Sequence, residues 1–430
     1  MFDCCEICAS QMTTELHLDF ESRSPLDPGE VGLHRYIWDP ATEPLFLWWK
    51  LGKGEYQCVK FYLGEIIEQS SELHMALGNP NVMLVAFNSA FERYMLQKLN
   101  YIIPASRFID PQVGGRYLSL PASLDVQCQV LGVPAHLGKD SRGKDLIKLF
   151  SEKVVVKAKK PTKKNPNGTA EYSYYNDWNS HPTEWTEFLE YGKRDVIAEE
   201  ELLRRERLLG AMPLPTAEQE YWLLDQKIND RGMPVDREFV RKMYALALRA
   251  KAEAKTSFEA MTGVLNANSP AQIKKWAVTQ GYPYPSISKD VVTSALKDPN
   301  LKLTDVCRAA LKMRREAAST SYQKLGKIID SVSPDNFLRG QFVFMGSSRC
   351  GRWAGSAVQL HNMARPLPIK LEVDGKEIVY DFEDQKVVKE ARALIHANDY
   401  DAIKAKYGTV LLVVKNLIRT VFVAPGNEGR

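Results

Sequence analysis

Long apolar runs are missing from this 430-residue sequence; the longest in its C-terminal part is Val410 to Val414, far short of the about 20 residues that span a bilayer. A membrane-spanning helix is therefore not expected. No basic segment precedes an apolar one at the start, where Asp3 and Glu6 stand instead, so no secretory leader is expected either. Cysteine is sparse: seven residues, an odd number, are scattered through a long chain, which fits a reducing, cytoplasmic setting better than a disulfide framework. Cys5 and Cys8 make a single C-x-x-C with no second pair, so a four-ligand zinc site is not assembled, even with His17 and His34 considered. A G-x-x-x-x-G-K-[ST] loop is absent, which argues against an ATP-driven motor, and there is no internal repeat.

What is present is an ordinary globular balance, 44% hydrophobic and 26% charged, over a length that suits two or three domains. The net charge of +4 is unevenly spread: Lys153 to Gly168 holds six lysines and no acid, and Leu301 to Arg352 carries a net +6. The remainder is acidic. Concentrated positive charge on an acidic background suits a polyanionic partner, though solvated charged faces explain it equally well taken alone.

Hydrophobic periodicity predicts strands over Thr13 to Phe20, Leu33 to Trp38 and Leu45 to Leu51, then a helix over 64–77. A short buried strand at Val82 to Phe87 leads into a helix from Ser89 to Leu99, so a mixed α/β sheet is expected. Residues 151–175 break all periodicity and predict a basic loop or hairpin insertion. A long helix follows from Pro182 to about Leu209, stopped by Met212-Pro213-Leu214-Pro215. Helices are expected over Glu218 to Asn229, Asp236 to Met261, from Ser269-Pro270 onward, and over Thr304 to Asp330. After Pro334 short strands and turns take over.

Within this frame lies a set of carboxylates. Asp19 and Glu21 form a D-x-E pair on a strand, and residues two apart share one face. Asn88, Ser89, Ala90, Phe91 and Glu92 bring an amide and a third carboxylate to a strand–helix junction. Tyr191 and Asp195, four apart, share one face of the long helix. Each element alone is common on protein surfaces. Together, in this order and with spacings of 73 and 103 residues from Asp19 to Glu92 to Asp195, they resemble the three motifs of 3′–5′ proofreading exonucleases that end in a tyrosine motif.

That resemblance implies a ribonuclease-H-like exonuclease domain over 13–210, preceded by an extension at 1–12. It implies two divalent ions, Mg²⁺ or Mn²⁺, held by Asp19, Glu21, Glu92 and Asp195, with Asp19 bridging both and Tyr191 orienting the attacking water. Asn88 is expected to hold the substrate strand. Glu92 stands where the family more often has Asp, and Phe87 where it often has His.

A second resemblance covers the later half. Arg349-Cys350-Gly351-Arg352-Trp353-Ala354-Gly355, followed by Gln359-Leu360-His361-Asn362-Met363-Ala364-Arg365-Pro366, is similar to the T-G-R-x-S…Q-N-x-P signature of family A DNA polymerases such as bacterial DNA polymerase I and its phage relatives. Cys350 and Ala354 replace the usual Thr and Ser. The resemblance implies a mainly α thumb over 211–335 and the start of an α+β palm over 336–430, with Arg352, Gln359 and Asn362 on the primer strand. Arg308, Lys312 and Arg315 are spaced to form a stripe for phosphates, and Lys157, Lys159 and Lys160 a basic flap.

Ile418 to Pro425 resembles the strand ahead of the first polymerase motif, and the chain reaches Arg430 without that motif's aspartate. From this the resemblance implies proofreading and DNA binding in replication, in a bacterial or phage-infected cell, without primer extension by this chain alone. A second polypeptide carrying the rest of palm and fingers is expected to dock on an exposed edge around Val410 to Val414; a truncation is the alternative. An RNA-trimming exonuclease of the same fold and a non-catalytic DNA-holding subunit are the competing functions.

Overall fold

The computed structural model describes residues 14–62, 65–66, 70–137, 142–157, 171–317, 321–347 and 349–424. The extension at 1–12 lies outside them. Two compact units divide the chain: Met1–Gly232 with Arg339–Gln359, and Met233–Leu338 with Leu360–Arg430. The first thus continues beyond the boundary expected at 210 and takes back a segment from the region after 336.

The first unit is built on a six-stranded sheet. Its strands are β1 (Glu15–Arg23), β2 (Glu43–Leu51), β3 (Gln57–Tyr62), β4 (Glu65–Ile66), β5 (Met83–Val85) and β6 (Phe108–Ile109), in spatial order β4-β3-β2-β1-β5-β6. β1 to β4 are joined antiparallel, whereas β5 lies parallel to β1 and β6 parallel to β5. The alternation of β1 decides which face carries chemistry. Leu16, Leu18 and Phe20 are buried in the core together with Leu47 and Trp49 of β2. His17, Asp19 and Glu21 therefore point to the opposite face, in register with Trp48 (opposite Asp19) and Phe46 (opposite Glu21).

The helices of this unit are α1 (Pro28–Val31), α2 (Leu33–Ile37), α3 (Ser71–Gly78), α4 (Ala90–Lys98), α5 (Pro111–Tyr117), α6 (Leu124–Val130), α7 (Gly143–Ser151), α8 (Pro182–Leu208) and α9 (Thr216–Arg231). Residues of α3 and α4 join the core of the first sheet face, and α7 and α8 cover the other through Leu146, Phe150, Trp185, Phe188 and Tyr191 around Phe46 and Trp48. The 27-residue α8 approaches closely because Gly192 lacks a side chain: a Cβ there would stand 2.5 Å from Phe46 Cε2. The basic insertion is a hairpin at its base, with β7 (Val154–Val156) antiparallel to β8 (Tyr172–Tyr174). β11 (Phe342–Ser347) and β12 (Arg352–Gly355) form a ribbon fastened to α9, where Trp353 Nε1 donates to Asp225 (2.7 Å) and Asn229 exchanges two bonds with the Phe342 backbone.

Two expectations for this unit fail. Leu33 to Trp38 is not a strand, because Leu33, Tyr36 and Ile37 fall at helical spacing and Asp27 with Pro28 starts the helical turns just before. The helix expected from residue 64 begins at Ser71, since the Ser70 side chain accepts from Leu73 N and caps it there.

The second unit is mainly helical. β9 (Met233–Pro234) pairs with β10 (Phe337–Leu338), and α10 (Arg237–Thr262) packs against α13 (Asp305–Ala317) and α14 (Gln323–Ser331), while α11 (Pro270–Thr279) and α12 (Lys289–Lys297) join α13 in one apolar cluster around Phe258 of α10. The single basic helix expected over 304–330 is therefore two. β13 (Ile369–Val373) and β14 (Lys376–Tyr380) form a ribbon ahead of α15 (Gln385–His396), α16 (Tyr400–Tyr407) and α17 (Val410–Leu417). No opening of a larger sheet is present among the described residues. The apolar run at 410 is a helix capped by Thr409, with Val410, Val413, Val414 and Leu417 buried by this chain itself. Ile418 and Val421 are likewise buried in a 3₁₀ turn rather than a strand. Among the described residues the exposed sheet edge expected around Val410 to Val414 is thus absent, because i, i+3, i+4 spacing gives α17 an inward face.

One buried acid of the first unit sets a pH dependence. Glu206 on α8 is 0% exposed, and neither carboxylate oxygen makes a well-aligned hydrogen bond. Burial, reinforced by Asp110 and Glu199, pushes its pKa from 4.5 to about 9. The folded chain therefore keeps Glu206 protonated while the unfolded chain ionises it above 4.5, so this group's contribution to stability is full below about 4.5, declines as pH rises from there to about 9 and levels off beyond. At neutral pH the cost is on the order of 3 kcal/mol. Glu206→Gln is expected to raise the thermal midpoint at neutral pH and to flatten its fall with pH; an unchanged pH profile would contradict this.

Candidate metal centre

The two strand carboxylates meet a third on α8. Asp19, Glu21 and Asp195 each offer an oxygen within 4.8 Å of the others. Strand period and helix period explain the convergence: Asp19 and Glu21 leave β1 on its α8 side, and Asp195 leaves α8 toward the sheet one turn after Tyr191. Asp19 and Glu21 are half-buried and Asp195 is buried. Three like charges this close in poorly hydrated surroundings are unfavourable without a cation. Oxygen-only donors of this kind fit a hard divalent ion such as Mg²⁺ or Mn²⁺.

Glu92 does not join the three within that distance. It lies in the first turn of α4, 2% exposed, with Oε2 lacking a hydrogen-bond partner. Burial first, and then the charge of Asp19, hold its carboxyl well above the ordinary range. An orphaned carboxylate oxygen beside Asp19 is what a second ion would neutralise. The four predicted acids therefore divide into a close trio and one neighbour.

The turn that presents Asn88 and Glu92 is clamped by acids that sequence reasoning did not single out. Asp110, at the end of β6, accepts from Asn88 N (3.0 Å), Ser89 N (2.9 Å) and Ser89 Oγ (3.0 Å). Glu199 accepts from Phe87 N (2.7 Å) and contacts His17 Nδ1 at 3.1 Å. Three consecutive backbone amides are held by two buried carboxylates, while Asn88 takes a φ of +67° and exposes its side chain. Helical spacing offered one signal: Glu199 is one turn beyond Asp195 on the same face.

Tyr191 is 2% exposed, its ring stacked on Phe188 (centroids 6.2 Å). Gly143 makes room for it, since a Cβ there would lie 2.0 Å from Tyr191 Cε2. Burial, then Asp195, Glu21 and Asp19, push the phenol's ionisation far upward, so it stays a hydrogen-bond donor and not a base.

The remaining predicted residues lie elsewhere. Lys157 is exposed just after β7, and Lys159 and Lys160 lie outside the described residues. On α13, Lys312 is exposed and Arg315 half-buried, whereas Arg308 directs two N–H groups to the Leu296 and Leu301 carbonyls. Arg352 opens β12 and is exposed, as is Gln359; Asn362 is exposed in a 3₁₀ turn of the second unit.

No family model matches the chain. Among curated proteins it is similar to the DNA polymerase of Bacillus phage SP02, at 30% identity over 415 residues, which is 96% of this chain and 58% of that protein. Among solved structures it aligns with the POL domain of Pol1 from M. smegmatis, in complex with DNA primer-template and dNTP, at a TM-score of 0.48 and 11% identity over 85% of this chain and 53% of that one. No helix among the described residues is long and apolar enough to cross a membrane. The chain spans 58% of its phage relative and, across nearly all of its own length, is related in sequence to a DNA polymerase.

Proposed function

We propose that the first unit is a metal-dependent 3′–5′ exonuclease of the proofreading type, on a ribonuclease-H-like sheet, within a family A DNA polymerase chain acting in replication. The observation that carries this is the convergence of Asp19, Glu21 and Asp195 within 4.8 Å, with Glu92 buried nearby. The sheet order supports the fold reading: a central β1 flanked by antiparallel β2 and parallel β5.

Asp19, Glu21 and Asp195, with Glu92 beside them, would hold the ions; bound there, divalent metals supply an activated hydroxide and stabilise the leaving oxygen of a phosphodiester. The chain's own contributions are orientation and restraint. Tyr191, kept protonated, donates a hydrogen bond beside Asp195 and orients water or a phosphate oxygen without removing a proton. Asn88, exposed at the clamped turn, is placed to hold the terminal nucleotide. The exposed Lys157, Lys312, Arg352, Gln359 and Asn362, with Arg315, are the proposed contacts to DNA, and Lys159 and Lys160 of the same lysine-rich stretch are proposed from the sequence to join Lys157. Phosphate contacts of this kind raise affinity without reading sequence.

Substrate choice tests the reading. With Mg²⁺ or Mn²⁺ the chain is expected to shorten single-stranded DNA, and to stop in EDTA. Faster turnover of RNA than of DNA would instead favour an RNA-trimming enzyme. Tight DNA binding with no hydrolysis under either metal would favour a holding subunit.

A further inference from the structure

The three elements that deliver the candidate ligands are joined at one buried side chain. Glu199 sits on α8, four residues after Asp195. One of its oxygens meets His17 Nδ1 at 3.1 Å, on β1 two residues before Asp19. Its other oxygen accepts from Phe87 N at 2.7 Å, in the turn two residues past β5 and just ahead of Asn88 and Glu92. Glu199 is 1% exposed, so it cannot touch a substrate strand. Ordinary packing of α8 on the sheet does not require a carboxylate here: Val196, Leu202 and Leu203 supply buried apolar contacts nearby. A buried acid is retained at low cost only when both oxygens are satisfied, and these two are satisfied by different segments, β1 and the turn after β5.

We infer that Glu199 is a positioning residue that fixes the spacing of Asp195, Asp19 and Glu92, and so the affinity of the centre for its ions. The inference rests on the exonuclease reading for its consequence in hydrolysis, but its metal-binding and backbone consequences stand apart from that reading. Partners that orient metal ligands typically matter by about 10- to 100-fold in metal affinity. Glutamine preserves the geometry, with a carbonyl to accept from Phe87 N and an amide to face His17. Alanine removes both arms at once.

The test uses the full chain and Mn²⁺ as the probe, with free ion followed by electron paramagnetic resonance and amide exchange read at Phe87. Glu199→Ala should weaken Mn²⁺ binding by about 10- to 100-fold and speed exchange of the Phe87 amide. Glu199→Gln should stay within a few-fold of wild type in both. Should the alanine variant fail to fold, His17→Ala removes only the β1 arm and should give a smaller loss in the same direction. Wild-type Mn²⁺ affinity in folded Glu199→Ala would overturn the proposal, as would equal weakening by Ala and Gln. Failure of the exonuclease reading looks different: Mn²⁺ binding that depends on Glu199, in a wild-type chain that leaves single-stranded DNA intact. If wild type binds no Mn²⁺, slow Phe87 exchange in Glu199→Ala would overturn the clamp as well.

Discussion

Replacing Asp19 with alanine should lower hydrolysis of single-stranded DNA by several orders of magnitude while leaving DNA binding in EDTA unchanged or tighter. Asp19 is one of three carboxylates converging within 4.8 Å and the main charge acting on Glu92. It is the acid that links the trio to its neighbour. Removing it deprives both proposed ion positions of a shared ligand, and electrostatic stabilisation of the reacting phosphate is usually the largest catalytic contribution. Binding behaves oppositely because Asp19 repels phosphate when no cation is present. The folded state should survive the change, since Asp19 is only half-buried. Rate and binding, measured on the same labelled oligonucleotide with and without metal, check both halves. A rate within a few-fold of wild type would remove Asp19 from the centre.

Gly143→Ala should produce the second large effect, at a residue with no chemistry of its own. Its Cβ would stand 2.0 Å from Tyr191 Cε2 and 2.6 Å from Cζ. Carbon atoms pack no closer than about 3.5 Å, so the ring must shift by more than an ångström or α7 must retreat. Phe188 stacks on the Tyr191 ring and limits the first escape. Overpacking of this kind costs about 1–3 kcal/mol of stability, and an ångström of misplacement costs about 100-fold in rate. Hydrolysis should therefore fall about 100-fold with DNA affinity intact. Tyr191→Phe should lose rate through the same group, so the double variant should be little worse than either single one. Full activity in Gly143→Ala would mean that the position of Tyr191 does not matter.

Much of the trio was legible in the sequence because it depends on local periods. A D-x-E pair on a strand must share a face, and Tyr191 and Asp195 must share a face of their helix. The register that turns those faces toward each other is tertiary, yet Leu16, Leu18 and Phe20 already leave Asp19 and Glu21 the opposite side of β1. The clamp was barely legible, its one signal being the helical spacing that puts Glu199 a turn beyond Asp195. Glu199 and Asp110 act through backbone amides at Phe87, Asn88 and Ser89, and no side-chain pattern announces a carboxylate paired with a distant N–H. Gly143 was equally silent, since its role is the space it leaves for Tyr191. Two of the failures share a cause: short apolar runs do not distinguish a strand from a helix. Leu33 to Trp38 and Val410 to Val414 both read as extended, and both fold as helices with an inward apolar face, the second of them capped by Thr409.

The central claim is that this carboxylate centre removes nucleotides from the 3′ end of single-stranded DNA. The most direct measurement is the product pattern from an oligonucleotide labelled at its 5′ end, incubated with the chain and Mg²⁺ and resolved at single-nucleotide length. The expected result is a ladder that shortens stepwise from full length with time and is abolished in the Asp19→Ala chain. An intact oligonucleotide, internal cuts without a ladder, or a ladder that persists in Asp19→Ala would contradict it.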